Sequence, residues 1–133
     1  MLGLHVRKMP AAKTFPTAMS WLNPSTTQAW ILLALAGVLE IAWAVGMKYT
    51  DGFTRGGPSA VVLTIALLSF WLLAVAMKAL PVGTAYAVWV GIGAAGAALF
   101  GMLLFREPAT AARIVCLLMI VAGVVGLKLV SET

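Results

Sequence analysis

Long apolar stretches alternate with short polar ones along most of this chain. Ala29–Met47 is nineteen residues with one charge, Glu40, and Ser59–Met77 is nineteen with none. Thr84–Phe105 is twenty-two uncharged residues. A last run holds fourteen uncharged residues between Arg113 and Lys128. It reaches spanning length when Ala109–Ala112 are included and both basic side chains snorkel to the interface. Some 20 apolar residues cross a hydrocarbon core of ~30 Å as a helix. The connections are short and carry turn residues: Lys48–Pro58 is glycine-rich, Lys78–Gly83 contains Pro81, and Arg106–Thr110 has Pro108 near a helix start. The pattern predicts an all-α membrane protein, a bundle of four transmembrane helices at about 29–48, 59–78, 84–105 and 109–130. Loops this short make neighbouring helices antiparallel.

Residues 1–28 differ from this domain of 29–130. They hold three of the six prolines, three basic residues (Arg7, Lys8, Lys13) and no apolar core of the ~7–15 residues that a signal peptide needs. They are expected to form a disordered cationic tail against anionic headgroups. His5 is expected to be solvated, and Met9 and Met19 are alternative starts.

With 62% hydrophobic and 10% charged residues, the chain lies outside the range of soluble domains, which are ~45–50% apolar. The net charge of +5 comes from residues at helix ends and in the tail, without a basic stripe, so nucleic acid is not an expected partner. Cys116, the single cysteine, lies in an apolar run and reads as a small buried hydrophobe. Lys48, Arg55, Arg106 and Arg113 belong to the loops of one side; Lys78 and Lys128 belong to the other, joined by Arg7, Lys8 and Lys13. Four against two without the tail, or four against five with it, gives little instruction to insert one way.

Glu40 is the centre of this pattern. Eleven residues from Ala29, at ~1.5 Å each, put it ~16 Å deep, near the midplane. An ionised carboxylate there costs at least ~2.5 kcal/mol on insertion scales. None of the apolar runs contains a Lys or Arg to pair with it. It is either a permanently protonated hydrogen-bond donor between helices or a site that exchanges a proton for a cation, and the second reading is preferred.

Helical spacing puts Gly37 and Trp43 on the same face as Glu40. In the second run Ser69 is mid-helix; a membrane serine either bonds its own i−4 carbonyl or serves a site. Tyr86 and Trp89 are i, i+3 on the third run, where aromatics mark either the interface or a deeper wall. A carboxylate with aromatic walls suits a small planar or partly apolar cation, through charge, cation–π contact and bidentate hydrogen bonding. Neither a nucleophile–base pair nor a metal cluster is legible, so no enzyme activity, metal or cofactor is expected. Gly91, Gly93 and Gly96 match a dinucleotide fingerprint, but inside an uncharged helix they read as close packing and a helix kink. Ala122 and Gly126 give the last helix a small-residue packing face.

These residues carry a resemblance. Glu40-Ile41-Ala42-Trp43-Ala44, Lys48-Tyr49-Thr50-Asp51-Gly52-Phe53-Thr54, Leu80 through Trp89 and Gly91-Ile92-Gly93-Ala94 resemble the small multidrug resistance family, within 29–130. Trp43, three residues after the glutamate, points to the guanidinium-exporter branch, since the drug-exporting branch usually has a small residue there. The tail has no counterpart in the family. The resemblance implies a proton-coupled antiporter of the cell inner membrane that exports guanidinium or related small cations. It also implies an antiparallel, dual-topology homodimer with two copies of Glu40 at one shared site. On that pattern Glu40 binds proton and substrate in turn, Gly37, Trp43, Ser69, Tyr86 and Trp89 line the pocket, and Ala122 and Gly126 belong to the dimer contact. The rivals are an exporter of larger aromatic or quaternary ammonium cations, and a non-transporting membrane subunit with a structural glutamate.

Overall fold

The structure, a computed structural model, describes residues 22–131; residues 1–21 of the tail expected over 1–28 lie outside them. Four helices follow one another: α1 (Thr26–Gly46), α2 (Gly56–Ala76), α3 (Val82–Leu104) and α4 (Ala111–Ser131), with a short 3₁₀ turn, Met47–Thr50, extending α1. All four are long and apolar enough to cross a membrane. At 21 residues α1 spans ~32 Å, about one hydrocarbon thickness.

The helix ends follow from local chemistry. α1 opens three residues before its apolar run because Ser25 and Gln28 form a reciprocal cap. Ser25 Oγ accepts from the Gln28 amide at 3.3 Å, and Gln28 Oε1 accepts from the Ser25 amide at 2.9 Å. Thr26–Gln28 thus belong to the helix rather than to the preceding segment. After the 3₁₀ turn the chain reverses through Asp51, Gly52 and Phe53, all at positive φ. The buried Thr50 hydroxyl fastens this turn, donating to the Met47 carbonyl and accepting from the Phe53 amide. The α3–α4 connection is fastened by Glu107, whose carboxylate pairs with Arg113 and lies over Gly101. A Cβ at Gly101 would stand 2.8 Å from that carboxylate.

Contacts between loops set the two ends of the bundle. At one end Lys48 lies 4.7 Å over the Phe105 ring, and Tyr49 packs on the same ring. At the other, Lys78 Nζ donates to the Leu22 carbonyl at 2.8 Å, and Lys128 lies 5.8 Å over Trp30. The basic residues among those described therefore gather at helix ends, as the sequence pattern implies.

Within the bundle α1 is central. It packs on α2 and α3, which barely touch each other, while α4 packs chiefly on α3. The buried core is Ala29, Leu33 and Ala36 of α1, Leu73 and Ala76 of α2, and Ala85, Val88 and Trp89 of α3. No residue of α4 is buried. Leu67, Leu103 and Val130 stand mostly exposed, the arrangement expected where lipid replaces water as solvent.

Close helix approach rests on glycines. α3 is continuously helical through Gly91, Gly93 and Gly96, and each accepts a neighbour's side chain where a Cβ would otherwise stand. Gly91 receives Val124 of α4, Gly93 receives Glu40, and Gly96 receives Ile41. Gly37 of α1 does the same for Ile92 of α3, with 2.7 Å between a hypothetical Cβ and Ile92 Cγ2. Ile92 is β-branched and stiff, so it has little room to retreat. Gly37→Val should therefore lower stability in detergent by about 1–3 kcal/mol. Gly56→Ala, where an added Cβ meets nothing, should stay within about 0.5 kcal/mol of the parent. Thermal unfolding of both variants checks this, and equal midpoints would show a looser α1–α3 seam.

Candidate functional site

Glu40 is half-buried at the middle of the central helix, its Cγ lying over Gly93 of α3. Its hydrogen-bond donor is on its own helix: Trp43 Nε1 donates to Glu40 Oε2 at 2.7 Å. The i, i+3 spacing makes this possible because both side chains leave the same face one turn apart. No ion pair reaches Glu40 among the described residues; the one salt bridge there is Arg113–Glu107 at a helix end. A single indole N–H leaves the second carboxylate oxygen, and the remaining lone pairs of the first, available to a further donor.

A second hydrogen-bond chain runs beside it. Trp89 Nε1 of α3 donates to Ser69 Oγ at 3.0 Å, and Ser69 Oγ donates to the Ala36 carbonyl of α1 at 2.8 Å. Ser69 is completely buried and Trp89 nearly so, and this chain joins three helices. Of the two arrangements open to a membrane serine, Ser69 takes the interhelical one, whereas Thr64 and Ser59 bond their own i−4 carbonyls. Ala36 is one turn before Glu40, so Ser69 grips α1 directly beneath the acid.

Aromatic rings connect the two chains. Trp43 meets Phe70 edge to face with centroids 6.0 Å apart, Phe70 meets Trp89 at 5.6 Å, and Trp89 meets Tyr86 at 5.6 Å. Four rings from three helices thus form one wall beside the carboxylate. Tyr86 is half-exposed at its far end.

Glu40, Trp43, Ser69, Tyr86 and Trp89, picked out from the sequence, are joined by this network. Gly37 is not: it is buried against Ile92, at the α1–α3 seam. Gly91, Gly93 and Gly96 serve the packing that brings Glu40 against α3, and Ala122 and Gly126 lie apart on α4. Phe70, which sequence reasoning missed, sits between the two tryptophans. The available signal was its place beside Ser69 on α2, but its pairings cross helices and have no trace in spacing.

Chemically, the arrangement offers a carboxylate with spare acceptor capacity, aromatic faces and fixed N–H dipoles. It holds no group of His, Cys, Asp and Glu that could hold a metal ion among the described residues. That combination is suited to a small organic cation or a proton.

Known proteins bear on this arrangement. The family model described as Small Multidrug Resistance protein matches residues 28–120. A Salmonella typhimurium protein named "Guanidinium exporter" is 57% identical over 101 residues, covering 76% of this chain and 96% of that protein. Proteins of the same name from Escherichia coli K12 and Proteus vulgaris are 56% and 54% identical, over 96% and 99% of their own lengths. With four helices long and apolar enough to cross a membrane, and with these relatives matched over nearly their whole lengths, this chain is a multi-pass membrane protein and belongs to the small multidrug resistance family.

Proposed function

We propose that this protein exports guanidinium, or a closely related small guanidinyl cation, in exchange for protons bound at Glu40. The observation that carries this reading is the half-buried carboxylate of the central helix, held by one indole N–H and lacking an ionic partner among the described residues. A planar guanidinium presents N–H donors in a fork that matches a carboxylate, while its faces suit the rings of Trp43 and Trp89. The names of the relatives support the same substrate.

The proton coupling follows from mass action. One carboxylate cannot hold a proton and a cation at once, so binding guanidinium displaces the proton and protonation releases guanidinium. If Glu40 faces the two sides of the membrane alternately, an inward proton gradient drives outward cation flow. Gly37 lets α1 lie against α3 at the height of the site, Ser69 sets the Trp89 indole, and Phe70 spaces the two indoles. Gly91, Gly93 and Gly96 put three weak helix formers within six residues of α3 and are the proposed point of bending.

The working unit is proposed to be an antiparallel homodimer. Four helices are too few to supply both inverted halves of a transporter, so a second copy in opposite orientation completes the site. The balanced basic residues of the two ends support insertion both ways. α4 supplies the contact: none of the described residues covers its Gly123 and Gly126, and Ala122 lies one turn before Gly126 on an apolar helix without buried residues.

Proteoliposomes test the central claim. Guanidinium uptake should move protons the other way, and Glu40→Gln should fold and dimerise yet lose cation binding and proton release. Affinity of the parent should weaken as pH falls from 9 to 5, because the ionised form binds the cation. A flat profile, or coupled flux through the Gln variant, would overturn the assignment.

Ser69→Ala strands the buried Trp89 N–H and the Ala36 carbonyl, and should cost about 1–3 kcal/mol of stability. Guanidinium affinity should weaken with it while proton binding at Glu40 persists, as titration calorimetry at two pH values would read. Unchanged affinity would remove Ser69 from the site.

Gly126→Leu meets open space among the described residues, so its fold should survive. Dimers should be lost at protein concentrations where the parent is dimeric, as read by cross-linking or single-molecule photobleaching in liposomes. A dimer of full strength would move the interface elsewhere.

A further inference from the structure

Glu40 divides the seam between α1 and α3 into two unlike halves. Before it the two helices share a buried core that includes Leu33 and Ala36 of α1 and Val88 and Trp89 of α3. Beyond it no residue of α1 is buried. On α3 beyond Gly93 the one buried residue is Gly101, which lies under Glu107 of its own connection. An apolar groove of about 310 Å³ runs along this second half, between Val38, Ile41 and Val45 of α1 and Phe100 and Leu104 of α3. Past the groove stands the Phe105 ring. Tyr49 packs on it with centroids 5.6 Å apart, and the Lys48 ammonium lies 4.7 Å from its centroid. The turn carrying Lys48 and Tyr49 is itself pinned by the buried Thr50 hydroxyl. On the other side of Phe105, Arg106 takes the left-handed region at φ 53 and Glu107 pairs with Arg113, which ties the tip of α3 to α4.

We propose that Phe105 is a positioning residue for export: its ring is a releasable latch that holds the second half of α3 against α1 and lets go each time α3 bends. The latch rests on the exchange of two conformations proposed above, and Phe105 itself does not touch guanidinium. Its place in the fold directs this role to it. A bend between Gly91 and Gly96 swings residues 97–105 as one arm of ~14 Å, and the displacement is largest at the tip, where Phe105 stands. The contacts at the tip are of a kind that opens readily. Lys48 and Tyr49 are exposed, so parting them from the ring uncovers little apolar surface, whereas parting the helices before Glu40 would open a buried core. A cation–π contact and one tilted ring pair together favour the closed arrangement by about tenfold, enough to define a state and too little to trap it. The Glu107–Arg113 pair keeps α4 with the arm, so movement at the ring reaches the helix proposed as the dimer contact.

The test uses the full chain in proteoliposomes, reading the maximal rate of guanidinium–proton exchange and, by calorimetry, guanidinium affinity. Phe105→Leu keeps an apolar side chain and loses the ring. Its maximal exchange rate should rise about tenfold while affinity stays within about twofold of the parent. Phe105→Tyr should keep both. Circular dichroism and gel filtration establish that the variants are folded. In a Cys116→Ser background, which removes the exposed free cysteine, Tyr49→Cys and Phe105→Cys can be bridged by a reducible bis-methanethiosulfonate. The bridged protein should bind guanidinium without exchanging it, and reduction of the bridge should restore exchange. A rate in Phe105→Leu that stays level or falls, or undiminished exchange in the bridged protein, overturns the latch and leaves export through Glu40 standing. Affinity that changes as far as the rate would place Phe105 in the binding pocket and likewise refutes the latch. A parent that binds guanidinium without moving protons would refute the exchange itself, and the latch with it.

Discussion

A carboxyl group within a membrane-spanning helix, without a counter-ion among the described residues, governs this structure. In hydrocarbon it must hold a proton, a cation or a strong donor, because bare charge there is too costly to persist. The fold answers with a single donor, Trp43 Nε1, from the same helix. That choice leaves the remaining acceptor capacity of Glu40 pointing at whatever occupies the space beside it. The helix carrying the acid is also the one around which α2 and α3 are arranged. Glu40 lies against Gly93 of α3, and its donor Trp43 meets Phe70 of α2, so both neighbouring helices stand within one contact of the acid.

Two kinds of contact make that packing specific. Against α3, the fit depends on missing side chains: Gly93 and Gly96 accept Glu40 and Ile41, and Gly37 accepts Ile92 in return. Against α2, it depends on one buried hydroxyl, with Ser69 joining Trp89 to the backbone of α1. Lipid supplies no hydrophobic drive for helix association, so close approach and hydrogen bonds have to provide it. The same glycines that let helices meet also weaken α3 as a helix. A seam that is tight yet bendable fits a protein proposed to alternate between two conformations.

α4 obeys a different logic. It leans on α3 through Val124 and Gly91 and leaves its small residues uncovered. The face that carries Val124 is turned to α3, and the roughly opposite one, at ~100° per residue, is the proposed dimer contact. A helix with no buried residue in the single chain needs lipid or protein against what α3 leaves bare.

The number of helices and the place of Glu40 within the first of them were legible in the sequence because they depend on one-dimensional facts. Spanning length, the position of a lone charge within an apolar run and turn residues between runs can all be counted along the chain. Helical periodicity also placed Trp43 beside Glu40, since both lie on one helix. The tertiary structure decided what spacing cannot express. Ser69 bonds across to Ala36 rather than to its own helix, Phe70 stands between Trp43 and Trp89, and Gly37 faces Ile92 rather than the aromatic network. Each of those outcomes depends on the relative rotation of two packed helices, and that rotation is set by the sum of their side-chain contacts, not by the periodicity of either one.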